Sequence, residues 1–127
     1  MLNTSALVAF VGVSDLEQAR VFYGDALGLV LRDEAPFALV AEISGTTLRI
    51  TRVDEPGRVA YTVLGWDVKD LDGTIDDLVG RGVTFTCYGG MDQDQRGVWT
   101  APGGARVAWF TDPDGNNLSL TQGAPAG

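Results

Sequence analysis

The sequence contains the same short pattern twice, and this repeat limits the folds that the chain can adopt. Residues 13–16 read Val-Ser-Asp-Leu and residues 68–71 read Val-Lys-Asp-Leu, at an offset of 55 positions. A second shared pattern, Gly-x-x-Leu-x-Ile/Leu-Thr, begins at Gly45 and again at Gly115, at an offset of 70. Two pairs of matching segments in the same order predict two copies of one module. The larger second offset places about fifteen additional residues in the second copy.

The first pattern opens a predicted helix that ends at Gly28. Ser14 and, three residues later, Glu17 match a capping box, in which the two side chains satisfy free amide groups of the first helical turn. Apolar residues then recur at helical spacing, and Gly28 can adopt the left-handed conformation that ends a helix. The apolar stripe comprises Leu16, Ala19, Phe22, Tyr23, Ala26 and Leu27. In the second copy, Asp70 is the predicted cap of a helix that ends before Gly82.

Predicted strands surround both helices. In the first copy they are residues 6–13, 29–32, 37–43 and 47–53. In the second copy they are residues 59–68, 83–88, 98–101, 105–111 and 117–122. The first strand is apolar on both faces, so we expect both faces to be covered. The polar segment 89–97 is a predicted loop that carries most of the insertion, and loops of this kind often border a site.

The length of the chain suits one domain. With 127 residues, the two modules can share a single core of useful size. We expect module 1 to cover about residues 5–53, a turn-rich linker to cover 54–58, and module 2 to cover about 59–122. The tail, residues 123–127, has nothing to pack and is predicted to be disordered.

Composition argues against several classes of function. Seventeen acidic and nine basic side chains give a formal net charge of −8, which disfavours binding to nucleic acid and to anionic membranes. No apolar run approaches the roughly 18 residues that span a bilayer, and no secretory signal is visible, so we expect a cytoplasmic protein. The absence of histidine removes the commonest transition-metal ligand and the commonest general base near neutral pH.

These features together resemble the vicinal oxygen chelate superfamily of glyoxalases, bleomycin resistance proteins and extradiol dioxygenases. The resemblance lies in the two βαβββ modules, in the pattern Val-Ser-Asp-Leu-x-x-Ala-x-x-Phe-Tyr that starts the first helix, and in Asp-Pro-Asp-Gly-Asn at residues 112–116. It covers residues 7–122 and implies an α+β fold in which the modules form a cupped eight-stranded mixed sheet with the helices outside. In the enzymes of this family a divalent metal lies at the floor of the cup. Its ligands are a histidine in the first strand and a glutamate, or a similar group, in the last strand of each half.

The four corresponding positions of this chain hold no typical metal ligand. Alignment places Val8 and Val63 at the histidine positions, and Arg49 and Ser119 at the carboxylate positions. Arg49 would bring a positive charge to the place that the cation should occupy. We therefore expect no metal and no cofactor, and no catalytic residue is assigned. Val8 and Val63 are either ordinary strand residues or part of a ligand-sized lining.

Strand alternation places a mostly apolar set of side chains with a few polar groups on the concave face of the implied cup, as in small-molecule pockets. With residues of the longer second-half hairpins, the candidate ligand-binding residues are Val8, Phe10, Arg49, Thr51, Val63, Asp67, Tyr88, Trp99, Ser119 and Thr121. Arg49 either pairs with Asp67 or contacts the ligand. The rings of Tyr88, Trp99 and Trp109 either stack on a planar ligand or pack in the core.

The leading hypothesis is a metal-independent protein that binds a small organic molecule, cationic or aromatic, and sequesters an antibiotic or toxin as bleomycin resistance proteins do. Because antibiotic-binding relatives are homodimers, the resemblance also implies a homodimer. The alternative is a lyase, isomerase or dioxygenase of the same superfamily with a non-standard or absent metal site, using Asp67, Glu42 or Tyr88 as base or ligand. A third possibility is an interaction or regulatory domain whose cup is closed by side chains.

Overall fold

The computed structural model describes residues 1–34 and 36–124, which form two compact units. Unit 1 comprises Met1–Arg58 together with Pro113–Asn116, and unit 2 comprises residues 59–112 together with 117–124. Each unit contains one four-stranded mixed sheet. The predicted α+β class with two βαβββ modules is confirmed. Residues 125–127 of the tail that was predicted to be disordered lie outside the described residues.

Unit 1 begins with a short 3₁₀-helix, Leu2–Thr4. The strands of its sheet are β1 (Val8–Val13), β2 (Arg32–Glu34), β3 (Ala38–Ile43) and β4 (Thr46–Arg52). Helix α1 (Leu16–Ala19) follows β1 and continues as a π-helix over Arg20–Ala26. The strand order is β1-β4-β3-β2, in which β1 runs parallel to β4 and the other neighbours are antiparallel.

Unit 2 repeats this arrangement. Its strands are β5 (Leu64–Asp67), β6 (Trp99–Thr100), β7 (Arg106–Thr111) and β8 (Asn117–Gln122), and helix α2 (Leu71–Gly80) follows β5. The strand order is β5-β8-β7-β6, with β5 parallel to β8 and the other neighbours antiparallel. The first and last strands therefore pair in parallel in both modules, and the internal sequence repeat corresponds to a repeat in the fold.

The first helix does not start with the predicted capping box. The cap is Asp15, whose carboxylate accepts hydrogen bonds from the backbone N–H groups of Glu17 and Gln18 at 2.9 and 3.2 Å. The Ser14 hydroxyl instead donates to the Asp114 carboxylate at 2.6 Å. The predicted cap was wrong because Ser14 is engaged by a residue 100 positions away, a contact that local sequence does not show.

The second predicted cap and both predicted helix ends are confirmed. The Asp70 carboxylate accepts a hydrogen bond from the backbone N–H of Gly73 at 3.1 Å. Gly28 and Gly82 have φ angles of +79° and +95°, a region in which a Cβ atom would be strained. The predicted apolar stripe of the first helix is buried or half-buried, with Tyr23 fully buried. In the described part of the chain, no helix has the length and apolar character needed to cross a membrane.

Two predicted strands differ most from the observed ones. The second strand forms at Arg32–Glu34 and not at 29–32, because the backbone N–H of Leu29 donates to the Tyr23 carbonyl and closes the helix end. The strand predicted over 59–68 forms only at Leu64–Asp67. Its parallel partner β8 begins at Asn117, so the residues before Val63 have no strand beside them.

The strand predicted over 83–88 is absent. Phe85 makes one isolated β-bridge to Phe110. The side chain of Gln93 forms hydrogen bonds with two further backbone groups of this segment. The Gln93 amide accepts a hydrogen bond from the Tyr88 N–H at 2.7 Å and donates to the Thr86 carbonyl at 2.9 Å. Because a side chain takes the place of a neighbouring strand, the segment stays irregular.

The turn Pro113–Asn116 belongs to unit 1, and two residues of the Asp-Pro-Asp-Gly-Asn motif have structural roles there. The Asp114 carboxylate accepts hydrogen bonds from both the backbone N–H and the hydroxyl of Ser14, at 3.0 and 2.6 Å. The Asn116 side-chain amide donates to the Gly12 carbonyl at 2.8 Å. The carboxylate and amide of this motif therefore hold the end of β1 and the start of α1.

The sheet of unit 1 is covered on the face that α1 packs against and is partly open on the other. Val11 and Val13 of β1 are buried, whereas Phe10 is 63% exposed and Val8 is 42% exposed. The expectation that both faces of the first strand are covered is therefore wrong for the described chain. Val8 and Phe10 form an open apolar strip along β1.

Candidate functional site

One face of the second sheet is partly open, with Gly65 and Asp67 exposed, and it carries small and polar residues beside three aromatic rings. On this face the strand register places Ser119 of β8 between Gly65 of β5 and Trp109 of β7. The ring of Trp109 lies 6.4 Å from that of Trp99 and 5.6 Å from that of Tyr88, which meets it edge to face. We call Tyr88, Trp99 and Trp109 the aromatic cluster.

The position of these rings bears on the two alternatives that the sequence left open. All three residues are half-buried. On the opposite, core-facing side of the sheet, Trp66 stacks on the fully buried Phe110 with a centroid distance of 6.5 Å. The aromatic cluster is thus distinct from the packed core on the other side of the sheet.

Gln93 positions the cluster, and sequence reasoning did not single it out. Its side-chain amide bonds to the Tyr88 N–H, to the Thr86 carbonyl and, at 2.8 Å, to the Gly97 carbonyl. An amide that satisfies three backbone groups fixes the segment that carries Tyr88. In the sequence, Gln93 is only a glutamine between two aspartates of a polar loop, and such a pattern is typical of any solvated loop.

Two arginines tie the same loop and β7 to α2. Arg96 donates to both carboxylate oxygens of Asp76 at 2.9 and 2.8 Å, and Arg106 donates to both oxygens of Asp72 at 3.2 and 2.8 Å. Such forked pairs fix geometry as well as charge. The hydrogen bond from each arginine lowers the pKa of the aspartate that accepts it.

A polar cavity of about 240 Å³ borders the aromatic cluster at Trp99. It is lined by Asp92, Gln93, Asp94, Val98, Trp99 and Thr100. The Asp94 carboxylate accepts hydrogen bonds from the backbone N–H groups of Arg96 and Val98 at 2.8 and 3.0 Å. Asp92, in contrast, has no hydrogen bond or ion pair to any residue that the structure describes. Its negative charge is therefore available to a cationic group in the cavity.

The partner of Arg49 differs from the one that the sequence suggested. Its guanidinium lies 2.6 Å from the Glu34 carboxylate, and the two residues share the open face of the first sheet. This hydrogen bond is the main reason that the pKa of Glu34 is lowered. Glu34, and not Asp67, is thus the ion partner of Arg49.

The residues at the implied metal-ligand positions do not fit a divalent metal. Val8 and Val63 have no donor atom and are about 40% exposed, while Ser119 is 6% exposed and Arg49 is a cation paired with a carboxylate. Across residues 1–34 and 36–124, no three histidine, cysteine, aspartate or glutamate side chains are grouped as metal ligands would be. This donor set cannot reproduce the metal centre of the family's enzymes.

The structure divides the ten predicted ligand-binding residues between the two units. Those in unit 1 are Val8, Phe10, Arg49 and Thr51. Those in unit 2 are Val63, Asp67, Tyr88, Trp99, Ser119 and Thr121. Within unit 2, Thr121 is the register partner of Asp67, and Trp109 links Tyr88 to Trp99. Unit 2 therefore holds the denser group of candidate residues.

Comparison with known proteins shows which family this chain resembles. The family model described as the Glyoxalase/Bleomycin resistance protein/Dioxygenase superfamily matches residues 6–120. The comparison with curated proteins gives no match. Among solved structures, TnmS3, described as an antibiotic binding protein from Streptomyces sp. CB03234, is 25% identical, with 98% of this chain and 99% of that chain covered and a TM-score of 0.74.

Two further solved structures have the same fold. A member of the same superfamily from Sphaerobacter thermophilus DSM 20745 is 24% identical, with 97% of this chain and 100% of that chain covered and a TM-score of 0.72. A glyoxalase family protein from Enterococcus faecalis is 21% identical, with 95% and 99% covered and a TM-score of 0.72. At these identities the likeness shows the fold alone.

Proposed function

The chain belongs to the glyoxalase/bleomycin resistance protein/dioxygenase superfamily, and from this premise we propose that it binds a small planar organic molecule without a metal ion and sequesters it. The observation that carries the proposal is the half-buried aromatic cluster on the open face of the second sheet, next to Ser119 at an implied metal-ligand position. The likeness to TnmS3, which is described as an antibiotic binding protein, supports an antibiotic or a related toxin as the ligand.

The geometry of the aromatic cluster favours a flat ligand. Trp99 and Trp109 are tilted by 37° and Tyr88 stands nearly perpendicular to Trp109, so the rings present both faces and edges. Aromatic pairs gain energy from offset or edge-to-face contact in addition to the apolar area that they bury. A planar ring system can make such contacts with several of these side chains at once.

Charge favours a cationic ligand. Asp92 brings to the cavity beside Trp99 a carboxylate that pairs with no described residue, and the chain as a whole carries a formal net charge of −8. A cation over an indole face gains further energy from the ring quadrupole. A planar cation such as 9-aminoacridine therefore combines both preferences and is the first probe, with bleomycin as a second.

Isothermal titration calorimetry in the presence of EDTA tests the proposal. The wild-type protein should bind 9-aminoacridine, and Trp99→Leu should weaken binding about tenfold, which corresponds to about 1.4 kcal/mol. Phe37→Leu is the matched control, because Phe37 is 60% exposed and belongs to the other unit. It should bind the probe like the wild type.

Two results would overturn this function. If neither 9-aminoacridine nor bleomycin gives a binding heat, the chain does not sequester molecules of this kind. If binding occurs but Trp99→Leu and Phe37→Leu have equal effects, the aromatic cluster is not the site.

The proposal also includes a homodimer in the cytoplasm. The open apolar strip of Val8 and Phe10 supports a second copy as a partner, because an exposed pair of large apolar side chains on a sheet is a common feature of interfaces. Sedimentation equilibrium gives the test. A single monomeric species at micromolar concentration would contradict the dimer without affecting the ligand site.

A further inference from the structure

A buried polar atom next to the aromatic cluster has no hydrogen-bond partner among residues 1–34 and 36–124. Asn117 is 4% exposed, and its side-chain N–H group donates to the Ala60 carbonyl at 3.1 Å and to the Tyr88 hydroxyl at 3.4 Å. Its carbonyl oxygen, Oδ1, accepts no hydrogen bond from any residue that the structure describes. Buried acceptor atoms nearly always accept a hydrogen bond. The donor to Asn117 Oδ1 must therefore come from a molecule other than the described chain.

The orientation of the Asn117 amide follows from its neighbours. Exchanging Oδ1 and Nδ2 would turn the oxygen toward the Ala60 carbonyl, placing two acceptors against each other. The donor nitrogen must therefore face Ala60. The unsatisfied atom is thus the amide oxygen, and a reversed side chain does not remove it.

The hydroxyl of Tyr88 has an unused hydrogen atom at the same place. It accepts the long contact from Asn117, and no described residue accepts its own proton. A distance of 3.4 Å exceeds the usual upper limit of about 3.2 Å for N–H···O bonds, so this contact is weak. The Asn117 amide and the Tyr88 hydroxyl are therefore neighbours that offer one acceptor and one donor without strong partners among the described residues.

We propose that Asn117 and Tyr88 select a planar aromatic ligand that carries a hydroxyl group at its edge. The ligand hydroxyl donates to Asn117 Oδ1 and accepts from the Tyr88 hydroxyl, while its ring system contacts Trp109, against which Tyr88 already packs. Because Oδ1 is covered in the structure, the hydroxyl reaches it when the side chains around the amide rearrange, and the long contact between Tyr88 and the amide opposes such a movement only weakly. This inference rests on the proposed function and adds the chemical class of the ligand.

A matched pair of small probes separates the hydroxyl from the ring. 2-Naphthol has both the ring system and the donor, whereas 2-methoxynaphthalene keeps the ring and the accepting oxygen but lacks the O–H. Calorimetry with the wild-type protein should give 2-naphthol an affinity about three- to tenfold higher, as one net hydrogen bond provides.

Two variants assign the preference to its residues. Asn117→Leu keeps a similar side-chain volume and removes the acceptor, so the affinity ratio of the two probes should fall to about one. Tyr88→Phe keeps the ring against Trp109 and removes only the hydroxyl, so both probes should weaken alike and the ratio should persist. The urea midpoints of both variants report whether each is folded. If Asn117→Leu does not fold, Tyr88→Phe still tests the proposal, and unchanged affinities for both probes would show that the Tyr88 hydroxyl does not contact the ligand.

The outcomes separate this inference from the proposed function. If both probes bind the wild type with equal affinity, an ordered water satisfies Asn117, and the inference fails while the function stands. If neither probe binds and 9-aminoacridine does not bind either, the proposed function fails and takes the inference with it. A ratio that stays high in folded Asn117→Leu would also overturn the role of Asn117.

Discussion

Adding a methyl group at Gly65 tests the contact between β5 and β8 at the centre of the candidate site. An ideal Cβ atom built on Gly65 lies 2.9 Å from Ser119 Oγ, closer than real Cβ contacts allow. The other neighbours are at ordinary distances, namely the Ser119 carbonyl oxygen at 3.4 Å and Thr62 Cγ2 at 3.6 Å. The Ser119 hydroxyl is therefore the atom that opposes Gly65→Ala.

Two opposing contributions set the expected effect. Overpacking of a buried contact costs about 1 to 3 kcal/mol, since Ser119 has little room to rotate at 6% exposure. Replacing a strand glycine with alanine stabilises by about 0.5 to 1 kcal/mol through the loss of unfolded-state freedom. Gly65→Ala alone should thus lower the free energy of unfolding by up to about 2.5 kcal/mol. In a Ser119→Ala background the clash is gone, and the same change should be neutral or stabilising.

Urea unfolding followed by circular dichroism measures the double-mutant cycle. The glycine-to-alanine gain is common to both backgrounds, so it cancels, and the coupling energy should be about 1 to 3 kcal/mol. Gly80→Ala is the control, because a Cβ at Gly80 has no neighbour within 4 Å. Its cycle with Ser119→Ala should give a coupling near zero.

A coupling energy below about 0.5 kcal/mol for the Gly65 and Ser119 pair would show that the two side chains do not meet, because their effects would then be additive. The register of β5 on β8 would then be wrong, and with it the placement of Ser119 in the site.

Charged side chains on the surface give three further tests. Arg49→Leu should shift the urea midpoint only slightly, because the ion pair with Glu34 that it removes is partly exposed and screened by water. A large drop in the urea midpoint would show that the arginine is buried. Stability should fall below about pH 4, because Arg106 lowers the pKa of Asp72 in the folded state. The ion pair stabilises the fold fully above the pKa that Asp72 has in the unfolded chain. This stabilisation is lost as the pH falls through the lower pKa that Asp72 has in the folded protein. Asp72→Asn should flatten that part of the profile, and an unchanged profile would contradict the ion pair. In urea titrations, Asp15→Ala should lower the free energy of unfolding by about 1 kcal/mol and Glu17→Ala by much less, because Asp15 is the helix cap. A larger loss for Glu17→Ala would indicate that the capping box forms after all.

Local sequence signals were sufficient for most of the fold. Gly45 and Gly115, which align in the repeat, have φ angles of +85° and +86°, so the repeated glycine marks the same turn before the last strand of each module. Asp70 caps its helix, and β8 spans the same residues as the predicted strand. Each of these features depends on neighbours within a few positions, which the sequence shows directly.

Contacts between distant residues account for what the sequence did not show. Ser14 bonds to Asp114, Arg49 pairs with Glu34, and the amide of Gln93 replaces a strand. None of these partners follows from periodicity or turn chemistry. The aromatic residues of the site were visible in the sequence, but their position on the open face depends on the register of β6, β7 and β8, which only the structure supplies.

Ligand binding at the aromatic cluster should need no metal ion, and one calorimetric comparison tests this prediction. Protein purified without chelators is titrated with 9-aminoacridine in three states, namely as purified, after dialysis against EDTA and then against metal-free buffer, and after equimolar zinc or nickel is added back to the dialysed protein. Because Val8, Arg49, Val63 and Ser119 offer no metal site, the dissociation constant should be the same in all three samples. Binding that disappears after EDTA treatment and returns with the metal would contradict the account.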